Sequence, residues 1–413
     1  MAMPMMELDI DTLTAHRVLG RGAMGTVFLV SSPSSAAPFA LKVVDKRCPR
    51  ARPDTERRAR WELSVLSRLR GHPFLPSLLG SLETPSLLAY ALPFCPGGDL
   101  NSLRHSLPDA VLSPSALKFY LSELLAALSH LHSAPFSIAY RDLKPENVLL
   151  SAHGHVVLSD FDLSRCLRLP HKHKISDLVF SPSPSPSPPR ASVHRRNLTR
   201  MFFGTTTDNR LKKTKSARVS PVSKRRRNIS VGSGGGGSAR GFLESHSFVG
   251  TEEYVAPEII RGEGHGFAVD FWALGVLAYE MTYGRTPFKG ATRKETFRNV
   301  LTRQPEFPGG RRRTTELTDL VARLLDKDPS TRLGCRGGAE EVKRHPFFRG
   351  VRWDMLAEVG RPPFLATAEE LEEAEGGAVG TGGFSIRDYF EKLHSPPPPP
   401  PESGSSSSSL TEC

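Results

Sequence analysis

The run Tyr140-Arg141-Asp142-Leu143-Lys144-Pro145-Glu146-Asn147 sets a carboxylate, an ammonium and a carboxamide at fixed offsets. Those groups suit the movement of a phosphoryl group. Asp142 would orient an attacking hydroxyl and accept its proton, Lys144 would offset charge on the transferred group, and Asn147 would hold a magnesium ion. Asp160-Phe161-Asp162 follows the strand-like Val156-Val157-Leu158, which puts the Asp160 carboxylate where a hard cation bridging phosphates needs an oxygen ligand. Upstream, Leu19, Gly20, Arg21, Gly22, Ala23, Met24, Gly25, Thr26 and Val27 form a GxGxxGxV stretch able to close backbone over phosphates without Cβ interference. Taken alone, that stretch reads equally as an ordinary Gly-rich hairpin, and no helix follows it as a dinucleotide-binding fingerprint requires. Lys42 in Phe39-Ala40-Leu41-Lys42 can aim an ammonium at two phosphates, and Glu62 can hold that lysine in place.

These residues need a frame. Apolar alternation at residues 26–30 and 39–44, on either side of a Ser/Pro loop, predicts antiparallel hairpins. Residues 57–69 show helical spacing with Trp61, Val65, Leu66 and Leu69 on one side, and His72-Pro73 ends the helix. A long amphipathic helix is expected over 113–132, with Ser113 as N-cap, Pro114 at its first position and an apolar face of Leu121, Leu124, Leu125, Leu128 and Leu131. Further helices are expected over 267–283 and 316–326. The order implies an α+β fold: a small sheet lobe over 13–95 and a larger helical lobe over 96–348. An extension (1–12) precedes them and a tail (349–413) follows.

Composition narrows the class. No apolar run is long enough to cross a membrane and the N-terminus lacks a basic region before an apolar stretch, so an intracellular chain is expected. The five cysteines are scattered without a CxxC pair, which indicates neither a disulfide framework nor a zinc site. The net charge of +12 is concentrated in one segment. Residues 165–244 carry 18 Lys and Arg against three acids, which leaves the remainder slightly acidic. Ser-Pro repeats, a Gly run and clustered bases make about 167–245 a disordered insertion by composition. Its basic stretch 212–227 has no interleaved aromatics, so specific nucleic-acid binding is not expected.

Ala256-Pro257-Glu258 and Asp270-Phe271-Trp272 complete an order of motifs that resembles the protein kinase family over residues 13–348. Within it, Tyr140-Arg141-Asp142, Asp160-Phe161-Asp162 and the long insertion before Ser247-Phe248-Val249-Gly250-Thr251 look like the plant AGC-group kinases of the PINOID, phototropin and UNICORN type, most of all the UNICORN-like branch. That resemblance implies a bilobal protein kinase fold and an ATP- and Mg2+-dependent serine/threonine protein kinase. It further implies that Asp99 contacts the ATP ribose, that Leu92 and residues 93–95 form the gatekeeper and hinge, and that Glu258 pairs with Arg332. Asp99, Glu146 and Glu280 would read arginines in protein substrates, giving a basophilic preference. Ser247 would be the activation-loop phosphosite, paired with Arg141, and a 3-phosphoinositide-dependent kinase the activator.

Two departures stand out. Activators of that kind dock on a C-terminal Phe-x-x-Phe motif, yet Phe384-Ser385-Ile386-Arg387-Asp388-Tyr389-Phe390 places Arg387 at an aromatic position in either register. Asp162 replaces the glycine whose positive φ helps the metal-binding loop flip, so the magnesium-competent conformation should be favoured. Lys212-Lys213 and Lys224-Arg225-Arg226-Arg227 have the spacing of a bipartite nuclear import signal, with an anionic lipid surface or a solvated charge run as rivals. Ser181, Ser183, Ser185 and Ser187, each before proline, would weaken either interaction when phosphorylated. Cytoplasmic and nuclear residence is expected, with peripheral membrane association as an alternative. A monomer is expected. The competing class is a catalytically weak pseudokinase or scaffold, which intact Lys42, Glu62, Asp142, Asn147 and Asp160 argue against.

Overall fold

The structure, a computed structural model, describes residues 6–22, 24–33, 35–48, 54–69, 71–167, 251–309, 314–358 and 383–394. Almost all of the expected insertion, with Ser247 and both basic clusters, therefore lies outside the described residues, as does Ala23.

The chain opens with β1 (Thr14–Gly22), β2 (Gly25–Ser31), β3 (Phe39–Asp45), β4 (Gly80–Glu83) and β5 (Leu87–Pro93), an antiparallel sheet in the order β1-β2-β3-β5-β4. Strand alternation sorts its two faces. Val27, Lys42 and Tyr90 share one cross-strand row. That row faces α1 (Thr55–Leu66) and the cleft, where Val44 and Leu88 pack on Ala59 of the helix. The helix ends earlier than its apolar spacing predicts, because residues 67–69 continue only as a turn, although Leu69 remains buried.

The opposite face of the sheet carries Phe28, Leu41 and Val43 and is covered by both ends of the chain. Leu8 and Ile10 pack there from the N-terminal side. Phe384 exchanges backbone hydrogen bonds with Ala15 at 2.9 and 3.1 Å, and a final helix over Ile386–His394 follows. Ile386 and Phe390 are buried, and the Phe28 ring meets Phe384, Tyr389 and Phe390 edge-on with centroids 5.0–6.1 Å apart. Arg387, which breaks the expected aromatic motif, instead forks onto Asp11 at 2.7 and 2.8 Å. The segment read as a degenerate docking motif is thus built into the chain's own small lobe.

The second lobe contains α2 (Leu100–Ser106), α3 (Pro114–His132), α4 (Pro257–Arg261), α5 (Ala268–Tyr283), α6 (Arg293–Thr302), α7 (Thr315–Leu324) and α8 (Ala339–Lys343), which makes the final helix α9. Ser113 caps α3 as its sequence predicts, its hydroxyl accepting from the Ala116 amide at 3.2 Å. All five leucines of the predicted α3 face are buried. Burial around most of its circumference makes α5 the centre of this lobe, and Gly275 lets it approach Leu324 and Leu325 of the α7 end, where a Cβ would stand 2.8 Å from Leu324. Short strands β6 (Ile138–Ala139), β7 (Val148–Leu150), β8 (Val156–Leu158) and β9 (Arg165–Cys166) form two small ladders, β7 with β8 and β6 with β9. The turns between these strands carry the catalytic motifs.

Candidate active site

Between the lobes lies a cleft of about 420 Å³ lined by Leu19, Gly20, Val27, Ala40, Lys42, Glu62, Leu92, Pro93, Cys95, Asp99, Glu146, Leu149, Asp160 and Phe161, among others. A larger hollow of about 670 Å³ between the start of α3 and residues 346–356 borders none of the chemistry-bearing groups.

Lys42 projects from β3 into the cleft and joins the lobes. Its Nζ lies 2.8 Å from Glu62 Oε2 on α1 and 2.5 Å from Asp160 Oδ1, a residue 118 positions along the chain. Burial opposes the ammonium, but Glu62, Tyr90 and Asp160 together hold its pKa well above the usual lysine value. In return the Lys42 charge, against burial, keeps the Asp160 carboxyl below the ordinary carboxylate range. The Tyr90 hydroxyl donates to the same Glu62 Oε2 at 2.7 Å.

Asp142 sits in the loop after β6, only 8% exposed. Its Oδ2 accepts from Lys144 Nζ at 3.0 Å and Asn147 Nδ2 at 2.9 Å, while Thr251 Oγ1 lies 3.4 Å from Oδ1. Burial raises its pKa, with Lys144 and Asn147 pulling the other way, so the carboxylate is a better proton acceptor than a solvated one. The loop is held from below by Asp270 of α5, whose carboxylate accepts the Tyr140 and Arg141 amides at 2.8 and 2.7 Å and meets His132 Nε2 at 2.8 Å. Asp270 is visible in sequence only as part of a motif; its supporting contacts come from residues about 130 positions away.

The residues present suit a magnesium ion bridged to phosphates. Asn147 spends its amide nitrogen on Asp142, which leaves its carbonyl oxygen as a hard donor, and the Asp160 side chain remains 48% exposed toward the cleft. Among the described residues no group of three or more His, Cys, Asp or Glu is assembled around a metal. Two protein oxygens completed by a ligand's phosphates match the way magnesium is usually bound.

The glycine-rich turn divides in its roles. Gly25 takes φ +126° and a Cβ there would lie 2.4 Å from the Val43 carbonyl, so glycine is obligatory. At Gly20 and Gly22 a Cβ would meet nothing within 4 Å, so open space, and not strain, is what these two preserve. Met24 turns toward the Val44, Ala59 and Leu88 cluster, and Arg21 lies over the Tyr389 ring at 6.0 Å. Leu19, Gly20 and Val27 therefore line the cleft, whereas Arg21, Met24 and Thr26 support it from outside the lining.

The acids expected to read substrate are differently committed. Asp99 caps α2, its two oxygens accepting from the Ser102 amide and hydroxyl at 2.8 Å each. Glu280 lies outside the cleft lining, takes the Tyr254 hydroxyl at 2.5 Å and pairs with Arg104 at 3.4 Å. Glu146 is exposed at the cleft rim. Glu258 and Arg332 form a fully buried fork at 2.7 and 2.9 Å.

The protein kinase domain family matches the chain over residues 13–183 and 236–348. The chain belongs to the protein kinase family. Among curated proteins this kinase is similar to the serine/threonine-protein kinases UCN and UCNL of Arabidopsis thaliana. The first is 49% identical over 401 residues, covering 95% of this chain and 93% of the relative. The second is 50% identical over 398 residues, covering 94% and 90%. The protein kinase PINOID of Oryza sativa subsp. japonica is 41% identical over 365 residues, covering 85% and 69%. These likenesses set the kinase among the plant AGC-group enzymes, and specifically with the UNICORN type. Its family uses ATP and magnesium to phosphorylate proteins.

Motif reading alone did not find Arg58, Trp61 and Tyr90 as parts of the site. Arg58 contacts Asp162, Trp61 Nε1 donates to Ser164 Oγ at 3.1 Å, and Tyr90 holds Glu62. Their only sequence signal is position: Arg58 and Trp61 precede Glu62 on one helix, and Tyr90 shares the Lys42 row.

Proposed function

We propose that this kinase transfers the γ-phosphoryl group of ATP to serine or threonine hydroxyls of basic protein substrates. The observation that carries the reading is Lys42 joined at once to Glu62 and Asp160, with a cluster of buried Asp142 and Asn147 and part-buried Lys144 in the catalytic loop. ATP with Mg2+, when bound, supplies the phosphoryl group and the charge that holds its phosphates. Lys42 orients those phosphates, and Asp160 and Asn147 provide the oxygens for the metal. Asp142 aligns the acceptor hydroxyl and takes its proton, and Lys144 lies beside it to offset negative charge on the moving group.

A basophilic preference is supported by Asp99, Glu146 and Glu280. Glu146 offers its carboxylate most freely, whereas a substrate arginine at Glu280 must compete with Arg104. Phosphorylation at Ser247 would favour activity through Arg141, whose pKa burial and the nearby Arg165 push down to about 10 against the pull of Asp270. An added phosphate relieves that cost. The small-lobe seat of Phe384, Ile386 and Phe390 favours activation without C-terminal docking of a 3-phosphoinositide-dependent kinase. The basic insertion fits import into the nucleus, with attachment to anionic membrane lipids as its rival and the cytoplasm as the default residence.

The deciding experiment is radiolabel transfer from ATP with magnesium to an Arg-rich serine peptide, run beside Asp142→Ala. Transfer by the parent and its loss in the variant is the expected result. No transfer by protein phosphorylated at Ser247, across several basic peptides, would replace this reading with a scaffold.

A further inference from the structure

The metal-binding loop grips α1 at three successive points. The Phe161 amide donates to Glu62 Oε1 at 3.3 Å, Trp61 donates to Ser164, and Arg58 Nη2 donates to Asp162 Oδ2. Arg58 and Glu62 are four residues apart, so they lie one above the other on the same helix face. Glu62 is the residue that holds Lys42, and Asp162 stands two residues after Asp160.

The Asp162 side chain is 6% exposed, and Arg58 is its ion-pair partner. A carboxylate taken so far from water needs a paired cation. No backbone strain offsets the pairing: Asp162 is absent from the left-handed region, which Asp160 itself occupies at φ 52°. Glycine at this position could make no such contact.

We infer that Asp162 and Arg58 are a positioning pair for phosphoryl transfer. Their ion pair fixes the α1 face that presents Glu62 to Lys42 against the loop that presents Asp160, so the assembled site is held by the chain itself. Turning the loop over would unpair Arg58 and drag Phe161, which is fully buried against Tyr140, out of its seat. This differs from a tolerance argument about glycine, because the carboxylate acts through a named partner 104 residues away.

The inference rests on the kinase reading, so its test includes a readout independent of turnover. The full chain is compared with Arg58→Ala, Asp162→Gly, their double variant and Arg58→Lys. Steady-state kinetics are measured with ATP and an Arg-rich serine peptide. Amide hydrogen exchange is followed at residues 55–66 and 158–164, with 114–132 as reference. Each alanine or glycine variant should lose on the order of tenfold in kcat, the coupling expected of contacting charges, with KM for the peptide nearly unchanged. Exchange at both segments should quicken by a similar factor while the reference stays put. The double variant should be no worse than either single one, and Arg58→Lys should recover part of both effects. Additive losses, or unaltered exchange at 55–66 in Asp162→Gly, would overturn the pairing even if transfer is normal. Should Asp162→Gly fail to fold, Asp162→Asn removes the charge at constant shape and carries the same expectations.

Discussion

Truncating Phe390 tests whether α9 belongs to the small lobe. The side chain is 3% exposed and its ring meets Phe28 at 5.9 Å and Tyr389 at 5.3 Å. Removing a buried phenyl ring costs about 3–5 kcal/mol in transfer and cavity terms. At roughly 2 °C per kcal/mol for a domain of this size, Phe390→Ala should melt about 6–10 °C lower. Leu393, one turn on and 45% exposed, is the internal control, and its alanine variant should melt like the parent. A double-mutant cycle of Phe390→Ala with Phe28→Ala should return a coupling of about 0.5–1.5 kcal/mol, the worth of an edge-on aromatic pair. Thermal and urea unfolding of the full chain supply both numbers. A Phe390→Ala protein that melts with the Leu393→Ala control would refute the packing and restore the helix as a free docking peptide.

Asp142→Asn keeps the shape of the side chain but not its basicity, so kcat should fall by about 10²–10⁴-fold in the peptide assay with melting unchanged. Arg332→Ala leaves Glu258 buried without its cation, and should destabilise by about 3–5 kcal/mol in urea unfolding. Stability should also fall as the medium is acidified. His265, held to about 4 by burial and then Arg141, and His72, held to about 4 by burial and then His130 and Lys343, are neutral in the folded chain. The unfolded chain takes up their protons first, near the ordinary value of 6.5, so this contribution is complete above 6.5 and disappears toward 4. Fully buried His265 supplies up to about 1.4 kcal/mol per pH unit across that window and the partly exposed His72 less. Urea unfolding of His265→Gln between these limits should show a shallower pH slope than the parent, and equal slopes would contradict the assignment.

Chemistry-bearing residues were legible because phosphoryl transfer demands particular groups at short fixed offsets. Lys42 and Asp160 meet at the cleft, and Asn147 bonds Asp142 in the loop after β6. The Glu258 and Arg332 pair was accessible only through family resemblance, since 74 residues separate its members. Helix ends drifted by two or three residues at α1 and α7, where the apolar period runs past the last helical hydrogen bond into a turn. The α9 helix escaped for a different reason. Ile386, Tyr389, Phe390 and Leu393 have helical spacing, but the same aromatics also spell a damaged docking motif. Burial against Phe28 separates the two readings, and burial is not written locally.

The positions that depart from the family pattern share a physical logic. Asp162 stands where glycine is expected and finds Arg58; Arg387 interrupts an aromatic repeat and finds Asp11. Both introduce a charge and both meet its counter-charge on a distant element, but the environments differ. The Asp11 and Arg387 pair is more than half exposed on both sides, where water and salt leave an ion pair worth little. Its role is compatibility: it lets α9 lie on the sheet without burying a guanidinium, while Ile386 and Phe390 supply the adhesion. The Asp162 carboxylate is buried beside the catalytic loop, where separation from its cation is costly. The outer substitution therefore permits a fold, whereas the inner one constrains a moving part. Replacing Arg387 by alanine should accordingly leave turnover unchanged, in contrast to Arg58→Ala, and equal kinetic losses from the two would dissolve the distinction.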